Sequence, residues 1–144
     1  LGDDFLNGGL GRDCLYGGEG KDQIFCGNDF EYNFAQGGAG DDFVQGSFGG
    51  DALSGNSGQD RIYGRAGDDA LDGGSGFDIL SGDDGNDTLN GWGDDDVQDH
   101  LYGGAGRDIF YWEQSIDSGF GHNYTAPLGE CLDFELGFDI NPYS

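Results

Sequence analysis

The stretch Gly8-Gly9-Leu10-Gly11-Arg12-Asp13-Cys14-Leu15-Tyr16 is followed at once by Gly17-Gly18-Glu19-Gly20-Lys21-Asp22-Gln23-Ile24-Phe25. Both read G-G-x-G-x-D-x-U-x, where U is a large apolar residue. The register continues through 37–45, 46–54, 55–63, 64–72, 73–81, 82–90 and 103–111, and residues 1–7 are a clipped first copy. Two copies are stretched: 26–36 holds two extra positions and 91–102 holds three. The sixth positions are Asp4, Asp13, Asp22, Asn33, Asp42, Asp51, Asp60, Asp69, Asp78, Asp87, Asp99 and Asp108. The eighth positions are Leu6, Leu15, Ile24, Ala35, Val44, Leu53, Ile62, Leu71, Leu80, Leu89, Leu101 and Phe110. An Asp at eleven of twelve matched positions, in step with an apolar residue, is not a product of composition.

Glycine enters left-handed turns at no steric cost. The D-x-U-x tract is too short for a helix but suits a short strand with one side chain inward. Alternating turn and strand predicts an all-β fold in which the chain closes a coil every 18 residues and successive coils stack as parallel strands. The eighth positions then fill the interior. One domain is expected, with the roll over residues 1–111 and a non-repeat capping segment over 112–144. One apolar side chain per nine residues is a thin core, too small to hold the coil against chain entropy unaided.

Composition points to a missing positive component. Lys and Arg total 5 against 29 Asp and Glu, a formal charge of −24. Leu, Ile, Val and Phe together are 31 of 144 residues, close to the level of roughly 20% at which disorder is the default. Glycine, 32 residues, does not recur every third position, so collagen is excluded. Nucleic acid needs a basic face that this chain lacks. No apolar run approaches the roughly 20 residues that span a bilayer. No signal peptide is visible at the start, and a chain beginning at Leu1 reads as a fragment of something longer. Cys14, Cys26 and Cys131 lack C-x-x-C spacing, which speaks against zinc. Free thiols are expected, with one disulfide left open.

The turns supply what the composition lacks. A turn with several carbonyls and one carboxylate is half an oxygen cage, and stacking sets the turn of one copy beside that of the second copy after it. Hard oxygen ligands select calcium over transition metals, and calcium accepts six to eight of them in irregular geometry. Asp4, Asp13, Asp22, Asp42, Asp51, Asp60, Asp69, Asp78, Asp87, Asp99 and Asp108 are therefore the candidate ligands.

The nonapeptide resembles the RTX calcium-binding repeat over residues 1–111. The resemblance implies a right-handed parallel β-roll in which each ion sits between two stacked turns, held by both Asp residues and by backbone carbonyls. It assigns carbonyls such as Gly38, Gly40, Gly49, Gly58, Gly67 and Gly76 to the cages. About seven ions are expected. The turn 26–31 lacks G-G-x-G and Asn33 replaces its Asp, so sites using that copy are expected to be empty or rebuilt with Asp29 or Glu31. Asp94, Asp95 and Asp96 either add ligands or form a solvated loop. Residues 133–140, Asp-Phe-Glu-Leu-Gly-Phe-Asp-Ile, are similar to a segment that often follows RTX repeats. The resemblance further implies an extracellular protein exported by type I secretion.

No catalytic constellation stands out. His100 and His122 are the only histidines, and neither H-E-x-x-H nor G-x-S-x-G occurs. The outward strand positions of alternate copies gather Phe5, Phe25, Phe43, Tyr63, Ile79, His100 and Tyr102 on one face. Such a stripe can stack on a polysaccharide or on another protein, or simply reflect the preference of aromatics for strands. The expected role is an accessory or structural module of a secreted protein such as an adhesin or matrix component. The alternatives are the non-catalytic module of a secreted protease, lipase or alginate epimerase-like enzyme, and a subunit of a self-assembling filament.

Overall fold

Each D-x-U-x tract forms a strand, and each glycine-rich tract turns the chain onto the opposite sheet. The computed structural model describes residues 1–91, 93 and 97–111. The strands are β1 (Phe5–Asn7), β2 (Cys14–Glu19), β3 (Gln23–Phe25), β4 (Phe34–Ala39), β5 (Phe43–Gln45) and β6 (Ala52–Ser57). They continue as β7 (Arg61–Ala66), β8 (Ala70–Ser75), β9 (Ile79–Asp84), β10 (Thr88–Asn90), β11 (His100–Ala105) and β12 (Ile109–Tyr111). Odd and even strands form separate six-stranded sheets, ordered β1-β3-β5-β7-β9-β11 and β2-β4-β6-β8-β10-β12. All neighbours run parallel. Among the described residues there is no helix, hence none long and apolar enough to cross a membrane.

The register keeps like positions stacked. Leu6 pairs with Ile24, and Val44 with Ile62, 18 residues on. Across the copy 26–36 the step lengthens, and Ile24 meets Val44 and Leu15 meets Ala35. Across the copy 91–102 it lengthens again, so that Leu80 meets Leu101 and Leu89 meets Phe110. Both insertions are thus taken up between strands, and no side chain is moved to the wrong face.

The interior is two facing files of eighth-position side chains. Ile24, Val44, Ile62, Leu80 and Leu101 come from one sheet, and Ala35, Leu53, Leu71 and Leu89 from the other, all buried. Leu6, Leu15 and Phe110, in the outermost coils, are only partly covered. Stacking also dictates glycine at the fourth position. Gly40 has a φ of 131°, and a Cβ there would collide with the Gly20 carbonyl of the neighbouring coil. The expected cap, 112–144, lies outside the described residues.

The outward aromatic stripe forms on the odd-numbered sheet. Ring centroids are 5.4 Å apart for Phe5–Phe25, 5.5 Å for Phe25–Phe43 and 5.6 Å for Phe43–Tyr63. The rings alternate between seventh and ninth positions, so the ladder zigzags across the strands. Farther along, His100 packs edge-on against Phe77 and Tyr102.

Leu80 is fully enclosed between Ile62 and Leu101 of its own sheet. Leu80→Ala is expected to cost about 2–5 kcal/mol of stability. The reading is the midpoint of urea unfolding at saturating calcium, and an unchanged midpoint would place Leu80 outside the core.

Candidate metal centre

The turns pile into two columns along the edges of the roll. One column holds 8–13, 26–33, 46–51, 64–69, 82–87 and 103–108. The other holds 1–4, 17–22, 37–42, 55–60, 73–78 and 91–99, the last in part outside the described residues. A carboxylate ladder runs down each. In the first, the backbone N–H groups of Asp13, Asn33, Asp51, Asp69 and Asp87 donate to Oδ1 of Asn33, Asp51, Asp69, Asp87 and Asp108 at 2.7–2.9 Å. In the second, those of Asp4, Asp22, Asp42, Asp60 and Asp78 donate to Oδ1 of Asp22, Asp42, Asp60, Asp78 and Asp99 at 2.7–2.8 Å.

Only one oxygen of each carboxylate is used in this way. Oδ2 of Asp13, Asp22, Asp42, Asp60, Asp69 and Asp87 is buried and has no hydrogen-bond partner. A bare, buried carboxylate oxygen is costly unless a cation or donor meets it. The first-position glycines hold the space beside it open. A Cβ on Gly8 would stand 2.5 Å from Asp13 Oδ2 and 2.6 Å from the Cys26 carbonyl oxygen of the next coil. The same pairing recurs at Gly17 with Asp22 and the Gly37 carbonyl, at Gly64 with Asp69 and Gly82, and at Gly82 with Asp87 and Gly103. Carboxylate and carbonyl oxygens therefore converge between successive turns, and this donor set fits a hard divalent cation. Among the described residues no three His, Cys, Asp or Glu side chains converge, so any cage combines carboxylates with backbone.

The other expected ligands fall in the same columns. Asp22, Asp42, Asp51, Asp60, Asp69, Asp78 and Asp87 are buried, Asp13, Asp99 and Asp108 are half-buried, and Asp4 is exposed. The carbonyls of Gly40, Gly49, Gly58 and Gly67 each abut the next coil, where a Cβ on Gly58, Gly67, Gly76 or Gly85 would strike them. The Gly38 carbonyl accepts the Ser57 hydroxyl at 3.3 Å. Asp94, Asp95 and Asp96 lie outside the described residues.

Two turns are built differently. Asp51 Oδ2 is not bare: it accepts the Ser47 N–H at 2.6 Å and the Ser47 hydroxyl at 2.9 Å. Asn33 keeps the ladder position of an Asp through Oδ1, but its other atom is an NH2 donor. Asp29 spends its carboxylate on the N–H groups of Gly11 and Glu31, and the Glu31 side chain is exposed, so neither enters the buried ladder. The resemblance offered Ser47 only as a backbone carbonyl of the cage, and sequence reasoning missed its hydroxyl as a partner of Asp51. Its signal was a hydroxyl at the second position of the turn that stacks on the degenerate copy.

Electrostatics match this geometry. Burial pushes the carboxyls up to about 7 at Asp60, about 8 at Asp69 and about 6 at Asp87, with neighbouring ladder carboxylates adding to the rise. Asp42 is raised by burial as well. Cys14 and Cys26 are free thiols, and burial raises Cys26 to about 12, which leaves it unreactive.

The family model of the RTX calcium-binding nonapeptide repeat matches residues 1–30, 33–62, 45–80, 72–97 and 98–111. The chain belongs to this family and is a calcium-binding β-roll module. No curated protein and no solved structure matches it.

The raised carboxyls set a pH dependence for the calcium-free roll. The folded form holds protons at Asp60, Asp69 and Asp87 that an unfolded chain, with carboxyls near 3.8, releases. That stabilisation is complete below about 4 and is lost as pH rises through about 6 to 8. In EGTA, acidification from pH 8 to pH 4 is expected to increase β-structure in the far-UV circular dichroism spectrum. A loss of β-structure on acidification would contradict the assignment.

Proposed function

We propose that the chain is an extracellular module that folds on binding about seven Ca2+ ions. In this reading it serves as a structural or accessory domain of a secreted protein such as an adhesin or matrix component. The observation that carries it is the set of six bare, buried Oδ2 atoms, four of which, on Asp13, Asp22, Asp69 and Asp87, converge with a carbonyl oxygen of the neighbouring turn. Asp13, Asp22, Asp42, Asp60, Asp69 and Asp87 would hold the ions with the carbonyls of the stacked turns. Asp4, Asp78, Asp99 and Asp108 complete the proposed ligand columns, while Asp51 already has protein donors on its Oδ2. Bound calcium would supply the positive charge that the core carboxylates lack. The chain itself fixes each carboxylate through Oδ1 and keeps the space open with first-position glycine.

A fold that waits for calcium suits passage through the membrane unfolded, from a low-calcium cytosol to a high-calcium exterior. This supports export by type I secretion. The aromatic ladder from Phe5 to Tyr63 favours a second reading, in which the roll is the polysaccharide-binding module of a secreted enzyme. Residues 112–144 are proposed to cap the last coil, whose strand edge would otherwise lie open.

Asp60 stands between Asp42 and Asp78 in its ladder, whereas Asp72 is exposed on β8 and bonds Asn90. Asp60→Ala is expected to lower the calcium bound per chain by about two ions, and Asp72→Ala to leave it unchanged. Equilibrium dialysis decides; equal counts for Asp60→Ala and the parent chain would refute the ligand assignment.

A further inference from the structure

The bare oxygens are interrupted at one place. Between turns 26–33 and 46–51, and again on the far side of 46–51, the oxygen that faces a neighbouring turn elsewhere is replaced or satisfied by protein. Asn33, Ser47 and Asp51 are 0%, 0% and 1% exposed, so water does not serve them. The Asn33 amide NH2 lies 3.0 Å from Asp51 Oδ1, 3.1 Å from Ser47 Oγ and 3.1 Å from the Glu31 carbonyl oxygen. Its orientation is forced: exchanging the amide atoms would set an NH2 against the Asp13 N–H and an oxygen against the Asp51 carboxylate.

Ser47 completes the network. Its hydroxyl donates to Asp51 Oδ2 at 2.9 Å and accepts from Asn33 Nδ2 at 3.1 Å and from the Gly49 N–H at 3.2 Å. One hydrogen and both lone pairs are thereby used. The backbone of 46–51 is also distinct. None of its residues takes a positive φ, whereas the same column has Arg65 at 82° and Asp83 at 71° in the corresponding second position.

A charged side chain closes the outside. The Arg65 guanidinium lies 4.2 Å from the Phe48 ring centroid and donates to the Gly27 carbonyl at 3.2 Å and to Asn28 Oδ1 at 2.8 Å. It thus reaches from its own turn across 46–51 to 26–33. Phe48 in turn packs on Phe30 at 5.8 Å.

We infer that Asn33 and Ser47 form a metal-free clamp on Asp51, supplying from the chain the donors that a divalent cation replaces between other turns, with Arg65 bridging the turns on the outside. The inference rests on the calcium-binding reading and adds that the middle of one column closes without an ion. The two stretches divide that column into separate groups of ion sites, one around Asp13 and one around Asp69 and Asp87.

The test is calcium stoichiometry by equilibrium dialysis on the whole chain, with thermal melting at saturating calcium alongside. Asn33→Ala and Ser47→Ala are each expected to keep the parent's ion count while melting at lower temperature. The control Asp42→Asn should bind fewer ions. The double variant Asn33→Asp with Ser47→Gly restores the repeat pattern and should bind about one ion more than the parent. A lower count in a folded Asn33→Ala or Ser47→Ala chain overturns the clamp. So does an unchanged count in the double variant, which applies even where the alanine variants fail to fold. A parent chain that binds no calcium is a different failure, that of the calcium reading itself.

Discussion

Everything in this roll depends on how each buried carboxylate is divided. Oδ1 accepts a backbone N–H from the neighbouring coil, which fixes the aspartate and the spacing of the turns. At Asp13, Asp22, Asp42, Asp60, Asp69 and Asp87, Oδ2 is left buried and bare. The first bond is geometric and the second condition is electrostatic, and a single side chain imposes both. The ladder that orders the turns therefore creates a column of anions that the chain alone cannot neutralise, with 5 basic residues against 29 acidic ones. In the proposed reading, folding and cation binding are one event.

The remaining forces are arranged around that requirement. Parallel pairing satisfies the strands, and the facing files of Leu, Ile and Val give a dry interior one side chain deep on each sheet. Such an interior selects the register, because a slip of one residue would expose every apolar side chain. It does not by itself provide a core of the usual thickness. Stability is thus shared between a file of apolar contacts and two columns of charge. The clamp at Asn33, Ser47 and Asp51 departs from this rule at one level of one column.

Much of this was legible in the sequence because the repeat is short and strict. The nine-residue step gave the 18-residue coil, the inward file from Leu6 to Phe110 and the stacking of Asp on Asp. Even the stretched copies were placed correctly, since the apolar positions on either side stayed in phase. The division of labour between Oδ1 and Oδ2 was not legible, because a letter pattern does not say which oxygen the backbone takes. Nor was the clamp. Asn33 read as a lost ligand, its sites empty or rebuilt with Asp29 or Glu31, whereas its side-chain partner is Ser47, fourteen residues away and adjacent only after the coil has closed. The zigzag contacts from Phe5 to Tyr63 followed from strand alternation, but their spacing needed the structure.

The most direct test is far-UV circular dichroism of the chain in excess EGTA, followed by titration with calcium at neutral pH. A largely unordered spectrum in EGTA that converts to β-structure as several ions bind is the expected result. A β-spectrum already complete in EGTA and indifferent to added calcium would show that the buried carboxylates are balanced in another way, and would contradict the coupling of fold to ion.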